Sequence, residues 1–379
     1  MNMAILELEQ IHDVEDFEVS WNRLLCRSFD NNPFLTYEWL TTWSKHFGQG
    51  KELKLFTSEK DGEVFIAVPV MYSTHKVLGS KRSEAKFIGA PDSDYQTFLI
   101  TNFQEAARTI NPLIKSIVDC SNVDNVEFSD VPEDSLTANL LQHVKGDNFK
   151  RCQSRSNICS YISLPSSYDS YMQSLGRNTR GTLKRFERRA LNNFKVEFVK
   201  YDKFRSVPEA MNVLFRLHQK RQNAKGECGV FSNDTTRRFH VDLAQSFAQK
   251  GWLSLFFLTF NEIPVSTVYN FEYNGKIYGY LSGFDPEYAS YQPGQLAIQY
   301  LIKYAISRNL RELDFLRGDE AYKAHWTKNT RNNLIFKFNS RGLKSRFYEW
   351  NMTHNPVSYV SGARALSQRF LASSFHKPN

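Results

Sequence analysis

The sequence predicts an α/β protein with mixed sheets, made of two halves that follow one plan: three antiparallel strands, a long helix, and a strand returning parallel to the third. Three observations carry this. The chain has 379 residues, more than a single core usually serves, since cores rarely grow beyond about 250–300 residues. Residues 253–316 change from strand-like to helix-like periodicity in the order β-β-β-α-β. Residues 52–129 repeat that order with little residue identity.

The second half gives the clearer signals. Leu253 to Phe260 is an apolar run, as a strand buried on both faces requires. Asn261-Glu262-Ile263-Pro264 turns the chain into Val265 to Tyr273, rich in β-branched and aromatic residues. Asn274-Gly275 is a two-residue hairpin signal, because both positions tolerate positive φ, and Lys276 to Gly283 forms the third strand. Pro293-Gly294 then opens a helix running to about Arg308. Its polar residues Gln295, Gln299, Lys303 and Ser307 are spaced by four and form one stripe; the rest is Leu, Ile, Ala and Tyr, so most of the helix is expected to be buried. Arg311 to Leu316 is the returning strand, and a strand-helix-strand order predicts a parallel pair.

In the first half the strands are Glu52 to Ser58 and Glu63 to Tyr72 around an Asp61-Gly62 turn, with Glu84 to Gly89 and Tyr95 to Ile100 as further strand material. A helix fits Phe103 to Cys120 and a final strand Asn125 to Ser129. The polar stretch Gly146 to Asn157 reads as a connection, so the expected domains are 1–150 and 151–379.

Composition narrows the classes. Aromatic residues make up 14%, which suits sheets packed beneath helices. The net charge of +8 suits anionic partners without choosing among them. The five cysteines, Cys26, Cys120, Cys152, Cys159 and Cys228, are odd in number and scattered, which argues against a disulfide framework, and no CxxC pair suggests zinc. Met1 to Asp16 lacks the basic-then-apolar order of a signal peptide. No apolar run approaches the roughly 20 residues that cross a bilayer. A cytoplasmic protein is expected.

Four constellations could carry chemistry. The first is the connection Gly283-Phe284-Asp285-Pro286 through Gln292-Pro293-Gly294-Gln295. A helix N-terminus offers N–H groups and partial positive charge to a pyrophosphate; the plain alternative is Pro and Gly as helix punctuation. The second is the row Arg177, Arg180, Lys184 and Arg188 on one helix face, with one acid among six bases between residues 177 and 189. It suits phosphates of a cofactor, a nucleotide-sugar or RNA, or is a solvated face. The third is Asp314-Phe315-Leu316-Arg317-Gly318-Asp319-Glu320-Ala321-Tyr322-Lys323, running on to His325 and Trp326, beyond the carboxyl end of a predicted parallel strand, where ligands of α/β sheets bind. Acyl transfer from a thioester needs a base for the acceptor, donors for the oxyanion and an acid for the thiolate; Tyr322 suits the acid. The plain reading pairs Asp314 with Arg317 and puts Trp326 in the core. The fourth is Gly89-Ala90-Pro91-Asp92-Ser93-Asp94-Tyr95, which takes the place of the first connection but lacks a Gly opening the next helix. The first half is therefore not expected to bind the cofactor, while Asp94 is a candidate base facing the cleft between halves. His218 and His240 read as packed or surface histidines. No metal-ligand cluster, Walker loop or nucleophile elbow occurs.

Phe34-Leu35-Thr36-Tyr37-Glu38-Trp39-Leu40, Ser93-Asp94-Tyr95, Leu217-His218-Gln219-Lys220-Arg221, Gly229-Val230-Phe231, Gly283-Phe284-Asp285-Pro286, Pro293-Gly294 and Asp314 through Lys323 together resemble the BioF2-like, or CelD-like, acetyltransferases. The resemblance covers about residues 30–340. It implies tandem GNAT-like acyl-CoA N-acyltransferase domains, a fold shared with the FemABX ligases, and acetyl-CoA or another acyl-CoA as donor. In FemABX ligases an acid of the first domain and a lysine of the second are implicated at the active site; Asp94 and Lys323 fall in comparable regions. The GNAT pyrophosphate signature is reduced here to Gln292-Pro293-Gly294.

The expected site is therefore Asp94, Tyr322 and Lys323 for chemistry; Gly283, Gln292, Gly294, Gln295, Arg180 and Lys184 for the donor; and Tyr37, Trp39, Asp285, Arg317, Asp319 and Glu320 for the acceptor. The expected reaction moves an acyl group, in the first place acetyl, to an amine or hydroxyl of a sugar or polysaccharide precursor. The alternatives are a FemABX-like ligase using aminoacyl-tRNA, whose phosphates the row at Arg177–Arg189 would track, and a non-catalytic member binding a glycan or partner, with the basic segment Pro356 to Phe370 (Arg364, Arg369) as a docking element.

Overall fold

A computed structural model describes residues 2–7, 17–77, 80–146 and 149–340. The segment Pro356 to Phe370 and most of Met1 to Asp16 lie outside the described residues. The described chain divides into two compact units, one running through Asn157 and joined by residues 332–340, the other Ile158–Arg331.

The first unit holds β1 (Asn2–Glu7), β2 (Glu52–Lys60), β3 (Glu63–Val77), β4 (Ser80–Phe87), β5 (Leu99–Ile100) and β6 (Asn125–Pro132), with helices α1 (Phe17–Arg27), α2 (Tyr37–Phe47), α3 (Phe103–Asp119) and α4 (Leu136–Gln142). The sheet order is β1-β2-β3-β4-β6. β2, β3 and β4 form an antiparallel meander, and β4 runs parallel to β6 over Glu84↔Asn125, Ala85↔Val126 and Lys86↔Glu127. α3 begins at Asn102, whose side chain accepts the Glu105 N–H, and buries Ala106, Ile110, Leu113, Ile114 and Ile117, a helical stripe that covers the sheet.

The second unit repeats this arrangement. Its strands are the end of β7 (Phe149–Ser163), β8 (Val196–Lys200), β9 (Leu253–Phe260), β10 (Ile263–Tyr273), β11 (Lys276–Phe284) and β12 (Glu312–Arg317), ordered β7-β12-β11-β10-β9-β8. β9, β10 and β11 form the antiparallel meander, and β11 runs parallel to β12. The helices are α5 (Tyr168–Ser174), α6 (Arg177–Asn193), α7 (Val207–Asn223), α8 (Asp234–Gln249) and α9 (Pro293–Ser307). Alternation along the strands serves two faces. Phe256, Leu258, Val268 and Ile277 pack with Leu296, Leu301, Ile302 and Ala305 of α9. On the other face His240 of α8 lies against the Tyr269 and Tyr280 rings, at 5.8 and 5.6 Å. The last strand, β13 (Thr330–Ser340), belongs to the first unit from residue 332 and pairs antiparallel with β6 from Asn333↔Pro132 to Asn339↔Asn125.

Two local expectations need correction. Residues from Phe149 onward, expected as a polar connection, form strand β7; its side chains from Lys150 to Arg155 are mostly exposed, so composition alone hid a strand that the ladder stabilises. Of Tyr95 to Ile100 only Leu99–Ile100 is strand, because the preceding residues bond singly instead: Gln96 N–H to Asp130 O and Phe98 N–H to Thr137 Oγ1. The polar stripe of α9 turns partly toward α6: Gln299, 1% exposed, and Lys303 bond Glu187 at 2.9 and 2.7 Å.

Candidate active site

The parallel ladder between β11 and β12 extends only over Lys276↔Glu312, Ile277↔Leu313 and Tyr278↔Asp314. Beyond it β11 continues to Phe284 and β12 to Arg317, without further paired residues between them. β12 also changes register between Asp314 and Arg317. Leu316 takes φ 57° there, with its N–H bonded to Asp314 Oδ1 at 2.7 Å. The Asp314 carboxylate pairs with Arg331 at 3.6 Å. The carboxyl ends of this pair and the start of α9 thus form one edge of the second unit, where α/β sheets bind ligands.

Several expected site residues lie on this edge, Asp285 of the acceptor set among those of the donor set. Asp285 closes β11 by capping a short turn, Pro286–Tyr291: its Oδ1 accepts the Glu287 N–H at 3.2 Å and its Oδ2 the Lys220 ammonium at 2.6 Å. Gln292 adopts the left-handed conformation, φ 53°, and starts α9. Gly294 and Gln295 are buried in the first turn. Arg189 of α6 stands 4.9 Å from the Tyr291 ring and brings a cation to this loop. Gly283 has a packing reason as well: a Cβ there would press on the His218 amide nitrogen and lie 2.7 Å from His218 Cα. Arg180 donates to Gln173 O and Leu175 O at 2.9 and 3.0 Å, closing the end of α5. Lys184 is exposed, as are Arg177 and Arg188.

The segment after β12 is more committed than the sequence suggests. Lys323 is 1% exposed, and its ammonium donates to the carbonyls of Leu316, Arg317 and Gly318 at 3.2, 2.9 and 3.1 Å and pairs with Glu320 at 2.9 Å. Its three protons hold the turn, so its geometry is that of a positioning residue. Tyr322 is fully buried and its hydroxyl has no hydrogen-bond partner among the described residues. Burial first, and Glu320 next, raise its pKa well above the usual value, while Arg221 pulls it down; the phenol keeps its proton at neutral pH. Arg317 is partly buried and Asp319 exposed. Trp326, 1% exposed, lies in the core with Phe315 and Tyr322.

In the first unit Trp39 is fully buried, its indole N–H donating to Ser93 Oγ at 2.9 Å. Gly89, at φ 95°, leaves room for that contact: a Cβ there would stand 3.1 Å from the indole nitrogen. Trp39 therefore shapes the 89–95 loop from beneath. Asp94 is 1% exposed and its carbonyl accepts Asn333 Nδ2 at 2.8 Å. Tyr37 is half-buried, 6.0 Å from the Phe17 ring. Residues 93–100 are all buried, and the bonds from Gln96 and Phe98 to Asp130 and Thr137 fix them beside the end of β6.

Arg221 stands at the end of β11, 5.7 Å from the Phe284 ring. It is 1% exposed, and among the described residues none of its three guanidinium nitrogens has a hydrogen-bond partner. The signal was present in the sequence: Leu214, Leu217, His218 and Arg221 share the buried side of α7, so a cation stands at i+3 and i+4 within an apolar stripe. His218 bonds Ser282 O at 2.9 Å through Nδ1 and has its pKa lowered by burial to about 4, which makes it a neutral packing group.

Residues 177–324 match the family described as Acetyltransferase (GNAT) domain, and this stretch contains α6 through Lys323. The second unit has the GNAT fold. The first unit repeats the topology of this GNAT unit, and the chain is a tandem of GNAT-like folds. The crystal structure of FemX is similar over 92% of this chain and 99% of its own, with 13% identity and a TM-score of 0.62. A conserved protein of unknown function from Bacteroides thetaiotaomicron VPI-5482 is similar over 86% of this chain and 99% of its own, with 12% identity and a TM-score of 0.55. At these identities the likeness speaks for the fold. Among curated proteins none matches the sequence. The family match to the GNAT unit supports acyl transfer as the general chemistry. Among the described residues no helix is long and apolar enough to cross a membrane, and no group of three or more His, Cys, Asp or Glu residues could hold a metal ion.

Proposed function

We propose that the GNAT unit takes an acyl-CoA, in the first place acetyl-CoA, and transfers its acyl group to an amine or hydroxyl of a sugar or polysaccharide precursor. The observation that carries this reading is the end of the β11/β12 ladder at Tyr278 and Asp314 beside the start of α9. Strands that part leave backbone groups for an extended donor arm, and a helix start attracts its pyrophosphate. Arg189 beside Tyr291 adds a cation to that end. In the transfer, the acceptor heteroatom forms a bond to the thioester carbonyl carbon and gives its proton to a base. The C–S bond breaks, and the thiolate takes a proton, for which the Tyr322 phenol is the candidate donor. Lys323 keeps the turn carrying Tyr322 in place. The test is CoA-thiol release from acetyl-CoA with a panel of amino sugars and polyols, using the full chain and its Tyr322→Phe variant. Transfer that falls at least 100-fold in the variant supports the assignment; full activity removes it.

A second reading, aminoacyl transfer from tRNA, is favoured by the exposure of Arg177, Lys184 and Arg188 on α6. It requires tRNA binding that weakens steeply as salt rises. Binding that is absent or indifferent to salt excludes it.

A further inference from the structure

A guanidinium without partners in a protein interior is costly: removing such an ion from water is penalised by several kcal/mol unless an opposite charge meets it. Arg221 is in that state. Among the described residues its Nε, Nη1 and Nη2 lack hydrogen bonds, and the Phe284 ring lies 5.7 Å away. α7 runs past Gly283 at the end of β11, with Arg221 one turn beyond His218.

We propose that Arg221 forms the anchor for a carboxylate on the acyl acceptor. The guanidinium presents a planar fork that a carboxylate meets with two parallel bonds. The charges around it favour a monoanion. Glu227 and Glu320 both act on Arg221, and Glu320 already pairs with Lys323; a phosphate dianion would face both acids with one free guanidinium to balance it. The inference rests on acyl transfer at the GNAT unit and narrows the acceptor to sugars that carry a carboxylate, such as hexosaminuronic acids.

Thermal denaturation of the full chain tests it in two steps. In the absence of any ligand, Arg221→Met should melt about 2–4 °C higher than the parent, because an unmet charge has been removed from the interior. Next, hexosaminuronic acids should raise the melting temperature of the parent, while their carboxamides and the neutral hexosamines leave it unchanged. Both Arg221→Met and Arg221→Lys should lose that rise. A lower melting temperature for Arg221→Met overturns the proposal, since it would mean the guanidinium is internally satisfied. Stabilisation by inorganic phosphate rather than by carboxylates, or by no member of the panel, also overturns it. Calorimetry of CoA with the same variants separates the two claims: a carboxylate effect without CoA binding removes the donor assignment and leaves the anchor standing.

Discussion

The amide of His218 lies where a side chain on residue 283 would begin, and this close approach brings α7 onto the end of β11. The same approach carries Arg221 to the edge where β11 and β12 end. Gly283→Ala should therefore destabilise the protein by about 1–3 kcal/mol, the cost of forcing a helix from a packed sheet. Chemical denaturation measures this; an unchanged midpoint would show that α7 shifts freely.

Lys323 gives the second prediction. Its three carbonyl bonds and its pairing with Glu320 are buried. Lys323→Met leaves those acceptors and the carboxylate without a cation, at a cost of about 3–5 kcal/mol. Loss of activity in this variant should accompany loss of stability. A variant that is inactive yet as stable as the parent would give the ammonium a direct part in transfer.

Tyr322→Phe should behave in the opposite way. Removing a buried hydroxyl without a partner relieves a penalty of about 1 kcal/mol, so the variant should unfold no earlier than the parent while turnover falls. Destabilisation would mean that the hydroxyl is bonded within the protein.

Two buried groups give slopes of opposite sign in stability against pH. Asp30 has its carboxyl raised to about 6, by burial first and then by Asp134. The folded state holds its proton more tightly, so the contribution is present below pH 3.8 and lost as pH rises through about 6. Asp30→Asn should thus gain about 2 kcal/mol at pH 7–8 and nothing near pH 4. His218 is lowered to about 4, so its contribution is present above pH 6.5 and lost as pH falls through about 4. His218→Gln should flatten the acid limb in that window. Denaturation midpoints across pH 4–8 check both signs.

Much of the second unit was legible because its signals agree. The apolar run became β9 with the same bounds, and Asn274-Gly275 took positive φ at both positions, 47° and 70°. β7 was not legible, because its exposed polar side chains carry no pattern and its stability comes from neighbouring strands. The first unit's 94–98 segment misled for a related reason: an extended, buried chain can be held by single bonds to Asp130, Thr137 and Asn333. In the site, Tyr322 and Lys323 were identifiable from their place after a parallel strand. That the lysine is spent on three carbonyls follows from the turn geometry at Leu316–Gly318, which residue types do not encode. Arg221 stood in plain view on an apolar helix face, and only the absence of partners for its guanidinium gave it meaning.

The central claim is that the GNAT unit binds an acyl-CoA at the start of α9. Calorimetric titration of CoA and acetyl-CoA into the full chain, repeated with Gly294→Glu, tests it directly. Micromolar binding that the added carboxylate abolishes in a protein that remains folded is the predicted result. A folded parent that binds neither ligand, or a variant that binds both as well as the parent, would contradict the account.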